Sequence, residues 1–277
     1  MSVTSRSRRE TLAPRVVLLV LFVLYAAPLL TLVVTSLQGQ GTLPSLSPHA
    51  LLHPSVSAFT EVIHAGAWRS LRNGLIVATG VTAVVLFLGV PGAYWFARAA
   101  PRAGGLILLV LVFLQMIPTA SSVIPLFPVM TSWGLVNHLY GLILASAGSL
   151  LPFAILLLGP FFAAVPESLY EAAAVDGAGQ VDQFVRLGVP LIRNGLTTVG
   201  VLTFMIAWGE FVYAINFLSG PSQYPASALI TQFLLPYRTD WPGLMAASLI
   251  AAFPVIVIFL IFQRRLAFGL ASGAGKG

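Results

Sequence analysis

A chain of 277 residues that is 58% hydrophobic and only 8% charged, with charge-free stretches longer than a bilayer requires, is excluded from the ordinary soluble class and reads as an integral membrane protein. It contains no cysteine, which removes disulfides, thiolate catalysis and cysteine-ligated metals together. The net charge of +6 is spread over the ends of apolar runs instead of one surface, so it signals membrane topology and not nucleic-acid binding.

Arg6, Arg8, Arg9 and Arg15 precede an apolar run from Val16 to about Leu37. Ser7-Arg8-Arg9-Glu10-Thr11-Leu12 looks like part of a twin-arginine export signal, but the run is long enough to span and lacks an obvious small-residue cleavage site. Further spans follow it, so the expectation is a retained first helix behind a basic cytoplasmic tail, residues 1–15. Gln38 to about Trp68 is rich in Gly, Pro, Ser and His and reads as an external loop with one short surface helix. His49 and His53 are four apart, but Pro48 and Pro54 bracket them and no third ligand is near, so no metal site is expected.

A second span is predicted from about Leu71 to Ala97, closed by Arg98 and Arg102, and a third from Gly105 to about Met130. Pro118, Pro125 and Pro128 in the outer half of the third break its hydrogen-bond ladder. A membrane tolerates that only where protein or a water-lined cavity satisfies the freed carbonyls, so this span should line the bundle interior. A short link, Thr131 to Tyr140, leads to a fourth span ending near Phe162.

The one long polar interruption of the second half follows, Glu171 to Pro190, EAAAVDGAGQVDQFVRLGVP, within a loop of residues 165–193. Pro166 suits a first helical turn, Glu167 favours the positive end of the dipole, and Glu171 to Ala174 carry the helix on until Gly177 ends it. A second short helix should run from about Gln180 to Leu187, stopped by Gly188 and Pro190. The alanines leave the first helix thin enough to enter a groove, and Phe184 and Leu187 give the second an apolar edge.

The fifth span, Leu196 to about Leu218, contains Glu210, the only acidic residue well inside an apolar segment. A central ionised acid costs roughly 2.5–3.5 kcal/mol on insertion scales, which implies a polar partner or a wet pathway. Glu210 is therefore a substrate-path candidate, with Trp208, Asn216 and Gln115 as residues able to share its cavity. The bland alternatives are an interhelically bonded Glu210 that fixes packing and a Trp208 that packs or anchors an interface. A second external loop, Ser219 to Pro242, carries Arg238 and Asp240, and the last span, Gly243 to Phe262, is closed by Arg264 and Arg265. The tail Gly273-Ala274-Gly275-Lys276-Gly277 lacks the first glycine, the Ser or Thr and the following helix of a phosphate loop, so no nucleotide is expected to bind this chain.

With both ends inside, Arg6, Arg8, Arg9, Arg15, Arg98, Arg102, Arg186, Arg193, Arg264, Arg265 and Lys276 are cytoplasmic, against Arg69, Arg72 and Arg238 outside. The pattern predicts an all-α membrane domain of six transmembrane helices over residues 16–264, with a cytoplasmic tail at 265–277 and no internal repeat.

Glu171, Ala172, Ala173, Gly177, Leu187, Val189 and Pro190 stand at the spacing of the EAA loop, and the chain resembles the permease subunits of ATP-binding-cassette (ABC) importers. Leu187 and Val189 replace the usual Ile and Leu. Asn73-Gly74-Leu75, Ile124-Pro125-Leu126, Gly134-Leu135-Val136-Asn137, Gly141-Leu142-Ile143-Leu144, Trp208-Gly209-Glu210-Phe211 and the end from Met245 extend the resemblance to the maltose-type carbohydrate branch, with Gly74 and Gly209 standing where that branch commonly has Ser and Asn.

The resemblance implies a type I ABC importer fold and a multi-pass protein of a prokaryotic cytoplasmic (inner) membrane. Its implied partners are a second, similar permease, a cytoplasmic ATPase dimer that binds the ATP and Mg, and an extracytoplasmic solute-binding protein that delivers a sugar. It assigns Glu171, Ala172, Ala173, Asp176, Gly177, Phe184, Leu187 and Pro190 to ATPase coupling. An ABC permease for another small polar solute such as a polyamine is the alternative. A stand-alone secondary transporter is disfavoured by the isolation of Glu210, and an enzyme by the absence of a nucleophile with a base, a metal cluster or paired acids.

Overall fold

A computed structural model describes residues 6–39, 53–99, 104–234 and 239–274, with side chains over 15–39, 53–98, 105–234 and 239–264. His49, Arg102, Arg238 and Lys276 lie outside the described residues, as do the side chains of Arg6, Arg8, Arg9 and Arg265. The described chain is helical apart from a single bridge between Leu234 and Thr239. Four helices are each long and apolar enough to cross a membrane, and two bent pairs pass the same criterion jointly, giving six if each pair is one span.

The chain divides into two compact units. The first holds residues 1–67 and 230–250. Its α1, Arg6–Ser36, is lipid-like in composition and exposed from Val16 through Leu30 apart from the half-buried Ala26, whereas Val34, Thr35, Ser36 and Gln38 at its end are buried. After α1 the chain turns back: Ser55 N–H donates to Leu37 O at 2.7 Å. The expected short surface helix is α2, Ser57–His64, an amphipathic element burying Ala58 and Val62. Gly243 sits where any Cβ would run into Phe233 and Asp240, which fixes the start of the last helix against the turn before it.

The second unit holds residues 68–229 and 251–277. It is built from α3 (Ala67–Ala99), α4 (Gly104–Gln115), α5 (Thr119–Ser132), α6 (Leu139–Ala163), α7 (Glu167–Val175), α8 (Gln180–Leu191), α9 (Arg193–Trp208), α10 (Val212–Phe217), α11 (Ala226–Leu229) and the later part of α12 (Trp241–Ala274). The core is assembled from small and branched residues: Val77, Ala78, Val81, Val85 and Ala93 of α3, Leu142, Ala145, Ala154 and Leu158 of α6, and Val199 and Ala207 of α9. Small residues let helix backbones approach in a setting where lipid tails are as apolar as leucine, so packing, not hydrophobic exclusion, selects the interface. A Cβ at Gly80 would lie 2.7 Å from Ile143 Cδ1, so α3 and α6 approach closely there and a larger residue would require Ile143 to move.

Three expectations are corrected. The third span is not one helix: α4 and α5 meet at 92°. Pro118, with ψ near 135°, lacks the N–H that would continue α4, whereas Pro125 and Pro128 remain inside α5. Met130 is the one fully buried residue of α5 and most of α4 is exposed, while Gln115, Thr119, Ser122 and Leu126 of this span line a cavity. The fifth span is likewise interrupted, α9 ending at Trp208 and α10 starting at Val212. Finally, Gly188 and Pro190 do not stop the second loop helix. α8 passes through both to Leu191 by widening to a π turn over Gln183–Gly188, which relaxes the ladder ahead of the proline ring.

Candidate functional site

The polar loop folds as two short helices, as the glycine and proline spacing predicts, joined by a turn whose geometry is defined by hydrogen bonds. α7 begins after Pro166, with Glu167 in its first turn, and ends in a Schellman motif. Ala178 N–H donates to Ala173 O (2.9 Å) and Gly177 N–H to Ala174 O (3.0 Å), while Gly177 takes φ of +84°. No atom lies within 4 Å of a Cβ built on Gly177, so glycine is there for backbone conformation and not for space. The side chain of Gln183 reaches back to Ala178 O at 3.0 Å, pinning α8 to the turn, and Asp182 and Arg186 form an exposed i,i+4 pair at 3.1 Å.

The inner face of this helix pair rests on the end of α3. Tyr170 is 1% exposed, with Arg98 Cζ 3.7 Å from the centre of its ring. Arg98 also reaches Glu167 at 3.7 Å, but Glu167 is largely exposed, so the stacking on Tyr170 contributes more than that ion pair. Tyr94 is the hub, contacting Phe162 (5.4 Å), Phe184 (5.0 Å) and Tyr170 (6.1 Å between ring centres). Gly188 allows α8 to close on this cluster, because a Cβ there would stand 3.1 Å from Tyr170 Oη and 3.3 Å from Tyr94 Cε2. Burial, then the neighbouring Tyr94, push the Tyr170 phenol above its ordinary value, and Arg98 opposes the shift. The Tyr170 hydroxyl is buried without a hydrogen-bond partner.

The outer face is open. Glu171, Ala172, Asp176 and Gly177 are exposed, and the Glu171 carboxylate has no ion-pair partner among the described residues. Val175 at 87% and Val181 at 75% exposure leave apolar surface beside that carboxylate. Ala173, Phe184 and Leu187 are half-buried, Phe184 on Tyr94, and Pro190 is exposed. Tyr94, Arg98, Tyr170 and Gly188 were not singled out from the sequence as a set; nothing in their spacing, 94 to 188, announces that they meet.

The four residues suggested for a solute path do not converge. Trp208 is 5% exposed, stacks on Phe204, donates from Nε1 to Ala251 O at 3.0 Å, and lies close to the point where a Cβ on Gly74 would stand. Its surroundings are those of a packed core residue. Glu210 is in the break between α9 and α10, where its Oε1 accepts the Tyr213 N–H at 2.8 Å and its carbonyl accepts the Ser227 hydroxyl at 2.6 Å. Its carboxylate thus holds the first turn of α10. Asn216 is exposed and donates to Val212 O in its own helix.

Gln115 alone of the four lines a cavity of about 360 Å³ at the α4–α5 bend, with Thr119, Ser122, Ser149 and Tyr213 among the other lining residues. Elsewhere, Asn73, 2% exposed, ties α3 to the loop between α10 and α11 by donating to Ser222 O (3.1 Å) and Tyr224 O (3.4 Å). No cluster of metal-ligating side chains exists among the described residues.

The family of binding-protein-dependent transport system inner membrane components matches residues 89–272. The chain is 33% identical over 207 residues to the sulfoquinovosyl glycerol transport system permease protein SmoH of Agrobacterium fabrum, covering 75% of this chain and 73% of that one. It is also 33% identical over 210 residues to the trehalose transport system permease protein SugB of Mycobacterium tuberculosis, covering 75% and 77%. Its fold is similar to that in the crystal structure of a bacterial ABC transporter involved in the import of the acidic polysaccharide alginate, with a TM-score of 0.76 at 22% identity over 95% of this chain and 99% of that one. A helical membrane domain with this loop and these relatives belongs to the binding-protein-dependent transport system inner membrane component family, the permeases of ABC transporters, with the type I importer fold.

Proposed function

We propose that this chain is one of two permease subunits of an ATP-driven carbohydrate importer in a prokaryotic inner membrane, with both termini cytoplasmic. The observation that carries the reading is the α7–α8 pair: rigidly capped, held by its inner face on Tyr94 and Arg98, and presenting a free carboxylate with apolar neighbours on its outer face. That combination suits insertion into a cleft of a soluble partner, with apolar contact for affinity and one charge for register. A cytoplasmic ATPase dimer binds the ATP and Mg and receives this loop, Glu171 meeting a basic group there. A second permease supplies the other loop, and closure of the ATPases draws the two together and rocks the spans. An extracytoplasmic binding protein delivers the sugar. The names of the two permease relatives, both carriers of glycosides, support the solute class.

The test is reconstitution of the chain with candidate partner permease and ATPase subunits in proteoliposomes, followed by uptake and ATP turnover with loaded binding proteins. Sugar-stimulated turnover that disappears in Glu171→Lys while the complex still assembles in the membrane supports the reading. Uptake by this chain alone, driven by an ion gradient without ATP, refutes it.

A further inference from the structure

The cavity at the α4–α5 bend belongs entirely to the second unit and is the strongest unassigned feature of the membrane domain. Its volume, about 360 Å³, falls within the range of small-molecule sites, about 300–1,000 Å³. It is also deep. Gln115 closes a 12-residue helix and Ser149 stands ten residues beyond Leu139, so at 1.5 Å per residue each is roughly 15–17 Å along its helix, about half of a ~30 Å hydrocarbon layer.

Much of the polar lining is hydrogen-bonded within the protein. Gln115 Nε2 donates to Ser149 O at 3.0 Å, and Ser149 Oγ donates to Ser146 O at 3.0 Å. The Ser122 hydroxyl lies 2.7 Å from Thr119 O and 2.6 Å from the Tyr213 hydroxyl; with its proton on Thr119 O, the phenol is the donor of the second bond. The hydroxyl protons of Ser122, Ser149 and Tyr213 are thereby used inside the protein. What remains facing the cavity is a set of acceptors, on Thr119, Ser122, Ser149, Tyr213 and Gln115 Oε1, against two spare donors, the second N–H of Gln115 and the Thr119 hydroxyl. Glu210 fixes this arrangement indirectly, since its carboxylate caps the turn that carries Tyr213.

Resting on the importer reading, we infer that this chain contacts the transported solute itself, through Gln115, Ser122, Ser149 and Tyr213, and that the solute is a neutral, hydroxyl-rich glycoside. A ring of acceptors at mid-membrane depth rewards a ligand that arrives with many O–H donors. No charged side chain lines the cavity among the described residues. An acidic glycoside would bring a carboxylate or sulfonate against acceptors with no cation to meet it, and a polyamine would bring charge with no carboxylate; at that depth either lacks compensation. Leu114, Leu126 and Leu144 also line the cavity and suit the C–H faces of a sugar ring.

The test uses the full complex in proteoliposomes with saturating binding protein. Three panels are compared for ATP-driven uptake: neutral disaccharides (trehalose, maltose, cellobiose), uronic and sulfonated glycosides, and spermidine. The expected carrier activity is for a member of the neutral panel. Ser122→Ala and Tyr213→Phe should then lower solute moved per ATP about tenfold each while binding-protein-stimulated turnover persists, the loss expected for one buried hydrogen bond. Gln115→Glu, isosteric and at an exposed position, also gives up the donor to Ser149 O and sets a carboxylate against that carbonyl, so its yield per ATP should fall at least as far. Transport of an acidic glycoside or of spermidine overturns the inference, as does a neutral solute whose yield per ATP is unchanged in all three variants. Failure of every panel to drive ATP-dependent uptake removes the importer reading itself, and the solute site with it.

Discussion

Gly177 offers a clean test of how the loop couples, because the structure separates backbone strain from crowding there. Its φ of +84° is left-handed, and open space surrounds the position of an added Cβ. Gly177→Ala therefore pays only the conformational penalty of an L-residue in that region, about 1–2 kcal/mol, which shifts the equilibrium between capped and frayed turn by roughly 5–30-fold. Gly177→Asn, whose side chain tolerates the same region, should lose much less. Gly177→Pro should lose most, since it forbids the dihedral and removes the N–H that bonds Ala174 O. Amide exchange at Ala178, whose N–H closes the Schellman turn, reads the local effect, and sugar-stimulated ATP turnover in the reconstituted complex reads the coupling. Both should fall in the order Gly, Asn, Ala, Pro. Equal protection and equal coupling in the wild type and the Ala variant would refute the claim that this cap sets the shape presented to the proposed ATPase partner.

The remaining predictions concern the cluster under the loop and the break in the fifth span. Gly188→Ala should cost about 1–3 kcal/mol by pressing on Tyr170 Oη and Tyr94, and Tyr170→Phe, which removes an unpartnered buried hydroxyl, should be neutral or stabilising alone and should rescue part of the Gly188→Ala loss; thermal unfolding in detergent measures both, and strict additivity would refute the contact. Glu210→Gln retains an acceptor for the Tyr213 N–H and should transport normally, whereas Glu210→Ala should lose about 1 kcal/mol of local stability and slow uptake; equal loss in both variants would point to a role for the charge itself. Trp208→Phe forfeits the bond to Ala251 O and should lower the unfolding temperature while leaving the preference among solutes unchanged, and an altered preference would place Trp208 in the path after all.

The sequence by itself determined the class, the rough limits of the apolar segments, and the two-helix shape of the polar loop. These are local properties: hydropathy over a bilayer's length, proline at a first turn, and glycine where the chain must turn left-handed at Gly177. Only the tertiary structure decided what the individual polar residues do. Gly188 reads as a stop signal along the chain, yet its role is to let α8 approach Tyr170, a fact that depends on a residue eighteen positions away. Trp208, Glu210 and Asn216 share a segment with the look of a solute path, but helix rotation and the break at Gly209 direct them into packing, capping and an exposed intrahelical bond. Ser122 and Tyr213, separated by 91 residues and unmarked by any motif, are the pair that meets at the cavity, because the 92° bend after Pro118 swings α5 against α10. Periodicity fixes which segments are helices; which polar atoms find one another is set by how those helices bend and pack, and that is decided by contacts between residues far apart in the chain.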